Sequence, residues 1–198
     1  MHAPPVNSLN SALADAVEEY REHANISALL KRIDELASGT TADALIVAVE
    51  PFLDIPEVAG PVYEKVLDEQ PENARALVIL ANCYWLAGRG PEVVEELASR
   101  AIAADPDQRG AWHMWSLSES DPRQRVARWQ QVVARFPDDQ LAEANLADNA
   151  ASLAGAEHDT EALVLAIATY ERLLERAELQ EQKLAIEEAL MTLRAWKL

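Results

Sequence analysis

The chain has 198 residues, of which 34 are acidic and 17 basic, giving a formal net charge of -17 at pH 7. Hydrophobic residues at 49% and charged residues at 26% suit a chain that buries a core, which excludes wholesale disorder. The acidic balance repels phosphate backbones and anionic lipid, so neither nucleic acid nor a membrane surface is an expected partner.

Alanine (36) and leucine (25) far outnumber glycine (6) and phenylalanine (2), which favours an all-α fold over one built from strands. In chain order, residues 8 to 22 and 27 to 38 read as two helices opened by capping Ser or Asn, the second closed by Gly39. Residues 41 to 69 read as an irregular hairpin turning at Ile55 and Pro56. Within it Pro51 and Pro61 predict a kink or an early helix end, because an internal proline removes a hydrogen bond and crowds the preceding turn.

Pro71, Pro106 and Pro137 then sit in similar contexts, DEQPENARA, AADPDQRGA and ARFPDDQLA, at a spacing near that of a helical-hairpin repeat. Each proline ends one helix, an Asp or Asn follows as a cap, and a new amphipathic pattern begins, so such a repeat is predicted. Residues 73 to 87 place Leu77, Leu80, Ala81 and Tyr84 on one stripe. Gly88 and Gly90 break it, and Pro91 opens a second helix that buries Val94, Leu97, Ala98, Ala101 and Ile102. The next unit pairs Trp112, Trp115 and Ser116 with Val126, Trp129, Val132, Val133 and Phe136 across a break at 120 to 122. A third carries Leu146, Ala147 and Leu153, stops at Gly155 and restarts after His158 and Asp159. The segment from 178 onward presents Leu179, Ile186, Leu190, Leu193 and Trp196 on one face, as expected of a helix that covers the end of a repeat stack.

These residues resemble the tetratricopeptide repeat family. Residues 74 to 106 put Leu77, Leu80, Ala81, Tyr84, Gly88, Val94, Ala98, Ala101 and Pro106 at the family's characteristic places. Leu146, Ala147, Ala166 and Tyr170 follow the pattern further on. Ala98 stands where a large aromatic is usual, the Trp112 unit is shorter than the family's repeat, and the loop after Gly155 is long. The resemblance implies a right-handed solenoid of antiparallel helix pairs. Residues 1-39 form an N-terminal helical extension, 40-177 about four repeats with the first degenerate, and 178-198 a capping helix.

By the same resemblance, the groove face of the best unit carries Arg75, Val78, Asn82 and Trp85, continued by His113, Leu117 and Asp148 in later units. Asn82 offers donors and an acceptor to a peptide backbone, and Trp85 a broad apolar surface. The family's carboxylate-binding cations are missing, since Ala44, Ala48, Val78, His113 and Ala144 occupy those places, so a carboxylate clamp is not expected. Trp112, Trp115 and Trp129 are read as core. Arg123, Arg125, Arg128 and Arg135 are read as a solvated face, with a self-complementary contact between subunits as the alternative.

Enzymatic signals are poor. His2, His23, His113 and His158 are scattered, Gly88 and Gly90 lack the residues of a phosphate cradle, and the lone Cys83 can form neither an internal disulfide nor a CxxC pair. No cofactor or metal is implied. The opening MHAPPVNSLN lacks a basic segment and an apolar core, so a cytoplasmic location is expected. The expectation is a non-catalytic adaptor or chaperone-like scaffold binding a basic or amphipathic segment of another protein. The alternative is a self-assembling, homo-oligomeric module or one subunit of a larger complex.

Overall fold

The computed structural model describes residues 6–197, so His2 and the start of the N-terminal segment lie outside it. The described residues form eleven α-helices and no strand, and the chain divides into two compact units, Met1–Ser118 and Glu119–Leu198. The division falls between the two helices of the Trp112 unit.

The first unit contains α1 (Val6–His23), α2 (Ile26–Ala37), α3 (Ala42–Val49), α4 (Pro56–Glu69), α5 (Ala74–Leu86), α6 (Pro91–Ala104) and α7 (Arg109–Leu117). Packing is local in sequence: α1 meets α2 and α3, α4 meets α2, α3 and α5, and α5, α6 and α7 pack on one another. Asn25 caps α2 and Thr41 caps α3 through their side-chain oxygens. Pro51 ends α3 as expected, in a 3-10 turn over Glu50–Phe52, and Pro56 begins α4 at its first position, where the missing amide hydrogen is harmless. Pro61 does not stop its helix. α4 runs through it to Glu69 because Val58, Ala59, Gly60, Val62, Tyr63 and Val66 are all buried along it, and that burial outweighs one lost backbone bond.

The three proline joints share one hydrogen-bond pattern. The amides of Gln70, Asp105 and Phe136 close the preceding helix onto Val66, Ala101 and Val132. Those of Asn73, Gln108 and Asp139 then bond back to the carbonyls of Gln70, Asp105 and Phe136 at 3.0, 3.1 and 3.0 Å. Side-chain capping differs. Asn73 accepts from the Ala76 amide and Asp139 from those of Leu141 and Ala142, whereas Gln108 makes no such bond. In that middle joint the Trp112 indole donates to the Pro106 carbonyl at 2.9 Å instead.

Small residues set the helix separations. Ala81, Ala98 and Ala101 are fully buried, so the α5–α6 hairpin closes on side chains too short to hold it apart. The alanine at 98 fits as it stands. A Cβ on Gly60 would lie 3.5 Å from that of Cys83, which marks ordinary contact between α4 and α5.

The second unit contains α8 (Pro122–Arg135), α9 (Gln140–Glu157), α10 (Thr160–Arg176) and α11 (Gln180–Arg194), each packed on the next. Here α9 continues past Gly155 to Glu157 and ends where His158 adopts the left-handed conformation, φ 53°. Gly155 does not break the helix; it clears room for Trp196, whose ring carbon would stand 3.1 Å from a Cβ at that position. Leu190 and Leu193 are buried as expected of the covering helix, but Leu179 caps α11 and lies 62% exposed.

Polar clasps join these helices. Glu143 on α9 is buried and accepts from Arg172 Nε at 3.4 Å and Arg176 Nη1 at 2.8 Å on α10. Of the arginines of α8, Arg123 and Arg135 are exposed as a solvated face requires, whereas Arg125 and Arg128 are partly buried. Arg123 pairs with Asp159 and Glu157, Arg125 donates to Asn149 and to the Glu119 carbonyl, and Arg128 meets Glu119 at 2.7 Å with both side chains 14% exposed. Arg135 lies over the Phe136 ring. Among the three tryptophans read as core, Trp129 is fully buried, whereas Trp112 and Trp115 are half-buried in an edge-to-face pair 5.7 Å apart.

Candidate functional site

With Leu77, Leu80 and Ala81 turned inward, the helical period leaves Arg75, Val78, Asn82 and Trp85 on an adjoining face of α5. The structure separates these four by what they already touch. Arg75 donates to both oxygens of Glu50, at 2.7 and 3.0 Å. Val78 fills the close approach to α7, since a Cβ on Gly110 would come within 3.0 Å of its Cγ1. Asn82 is exposed and makes no side-chain hydrogen bond among the described residues, and Trp85 is 41% exposed. On α7, His113 and Leu117 are half-buried. Asp148 belongs to the second unit, where it is exposed and accepts from the Tyr170 hydroxyl across the α9–α10 hairpin.

The surroundings of this face are fixed by phenols. Tyr84 donates to Glu64 at 2.6 Å and lies beneath the Arg89 guanidinium, 4.8 Å from its ring centre. Burial first, and then the bond to Glu64, push its pKa up to about 12. Tyr63 is fully buried, its hydroxyl has no hydrogen-bond partner among the described residues, and burial raises its pKa against the opposing pull of Arg75. Within the second unit, apart from this face, the Tyr170 pKa is raised by burial and then by its bond to Asp148.

Two features of the site escape a reading of the sequence. Glu50, remote from Arg75 along the chain, gives no signal, because periodicity reports one helix at a time. Leu86, beside Trp85, is 62% exposed, and the apolar run ALVILANCYWL already contains it on a face other than the core stripe. Among the described residues, no group of three or more His, Cys, Asp or Glu is placed to hold a metal ion. The Cys83 thiol is pushed up to about 11 by burial. Among the described residues no helix is long and apolar enough to cross a membrane.

Helical hairpins with small residues at their crossings and recurrent proline joints define a helical-repeat scaffold, a fold whose usual work is protein–protein interaction. Residues 56–114 match the sequence model of the tetratricopeptide repeat family, so this stretch carries tetratricopeptide repeats. No curated protein matches it at the level of sequence. Its fold is similar to that of TTC0263, a thermophilic tetratricopeptide repeat protein of Thermus thermophilus, with TM-score 0.59 and 17% identity over 92% of this chain and 99% of that one. PilF of Pseudomonas aeruginosa matches with TM-score 0.61 and 16% identity, covering 96% of this chain and 86% of that one. MamA matches with TM-score 0.57 and 14% identity, covering 88% and 95%. At these identities the likeness is one of fold.

Proposed function

We propose that the chain is a non-catalytic adaptor or scaffold that holds a peptide segment of another protein in a concave groove, against the groove face of α5, through Asn82 and Trp85. The observation that carries this reading is that Asn82 and Trp85 are exposed and adjacent on one helical face, and that Asn82 has no hydrogen-bond partner among the described residues. Arg75, Val78, His113 and Leu117 then act as flanks whose positions are held by the fold, and Asp148 contributes a separate polar point in the second unit. In this reading residues 40-177 are the repeat-bearing part, 1-39 an N-terminal extension and 178-198 a covering helix. The acidic surface favours a basic or amphipathic segment and speeds its arrival more than it tightens the final complex.

The test begins with a partner captured by the intact chain and then titrated against variants. Asn82→Ala lowers affinity by about 1–3 kcal/mol by stranding a desolvated ligand group, and Trp85→Ala by about 2 kcal/mol or more. Thermal melts of both variants are read alongside. Full affinity in both, with folding intact, moves the site off α5.

A further inference from the structure

A second surface lies entirely within the last helical pair. Between α10 and α11 runs an open groove of about 770 Å³, bounded by Glu171, Glu175, Glu187, Arg194 and the side chains of Leu174, Leu190, Met191 and Ala195. Leu174 and Leu190 lie along it between charged walls, and Met191 stands 69% exposed at its edge. Leu184, two turns earlier on the same side of α11, is 56% exposed and lengthens the apolar strip.

The charges around the strip are not balanced. Arg194 is already bound to Glu171 at 2.7 Å, so it offers little to an incoming anion. Glu175 and Glu187, one on each wall, make no ion pair among the described residues. An apolar channel flanked by two uncompensated carboxylates, whose single cation is internally neutralised, complements a segment with aliphatic side chains along one face and lysine or arginine beside them. An acidic segment would meet like charge from both walls.

We propose that this groove is a docking site for a basic amphipathic helix of a partner protein, whose apolar face lies on Leu174, Leu184 and Met191 while its cations reach Glu175 and Glu187. The site is distinct from the α5 face and stands or falls separately.

The experiment uses the full chain with two short synthetic helical probes, one alternating leucine and lysine at helical spacing and one with glutamate in place of lysine. Binding is followed by fluorescence anisotropy and located by amide chemical-shift changes. The lysine probe is expected to bind saturably and shift amides between residues 171 and 195, while the glutamate probe does not bind. The Glu175→Gln, Glu187→Gln double variant, whose changes are on solvent-exposed walls, is expected to weaken the lysine probe by about three- to tenfold. Met191→Ser weakens it further. Equal binding of both probes, no amide shift between residues 171 and 195, or full affinity in the double variant would overturn the assignment. So would a dimer of the free chain that dissociates on Met191→Ser, because a second copy would then be the occupant.

Discussion

Removing the carboxylate of Glu143 tests how the second unit is held together. Its side chain is 4% exposed, while its partners Arg172 and Arg176 are 47% and 34% exposed. In Glu143→Ala the two guanidiniums can therefore turn back toward water, and the loss falls below the roughly 3–5 kcal/mol of a pair in which both charges are trapped. About 2–3 kcal/mol is expected, combining the lost ion pairs with the cavity left by buried methylenes. Glu143→Gln keeps the volume and one acceptor and loses about 1–2 kcal/mol. Arg176→Ala, which deletes the 2.8 Å bond, exceeds Arg172→Ala, which deletes the 3.4 Å one. Urea unfolding of the four variants, with a double-mutant cycle on Glu143 and Arg176, gives the coupling directly. A Glu143→Ala loss below about 0.5 kcal/mol would refute the reasoning, since desolvation would then cancel the pair.

Ala101 is fully buried at the α5–α6 crossing, so Ala101→Leu destabilises by about 1–3 kcal/mol in chemical denaturation. The three joints give an internally controlled comparison: Asn73→Ala loses about 1 kcal/mol by melting, Asp139→Ala about 1–2 kcal/mol because its cap is buried, and Gln108→Ala stays near zero. Asp159 is held below its ordinary pKa of 3.8, chiefly by the Ala162 amide and then by Arg123. A depressed acid stabilises the fold above its unfolded pKa and loses that contribution as the pH falls. Stability scanned below about pH 4 therefore declines less steeply in Asp159→Asn than in the parent chain.

Where one helix decides the outcome, the sequence is enough. The stripe of Leu77, Leu80 and Ala81 and the prolines at 71, 106 and 137 depend on local period and on proline's missing amide, and each appears where those predict. Expectation and structure part where a distant element decides. Pro61 stays helical because of what its helix buries, and Gly155 because Trp196, beyond the whole of α10 and α11, needs its space. Arg125 of α8 reads as solvated from sequence because its acceptor Asn149 lies on another helix. At the candidate site, position on α5 is legible; the engagement of Arg75 by Glu50 and of Val78 by α7 is not.

The neighbour-by-neighbour packing within each unit also bears on how the chain is made. No pairing described in the first unit reaches beyond the next helix but one, and the main helix pairs of the second are consecutive, with Trp196 reaching back past α10 to Gly155. A ribosome releasing the chain from its N-terminus thus delivers each helix to a partner that has already emerged. Closure of these short loops loses little entropy, so ordering can keep pace with synthesis at about 5–20 residues per second. The apolar stripe of α5 waits only for the chain from Ala87 through Ala104 before α6 is complete to cover it, a delay on the order of one to four seconds at that rate.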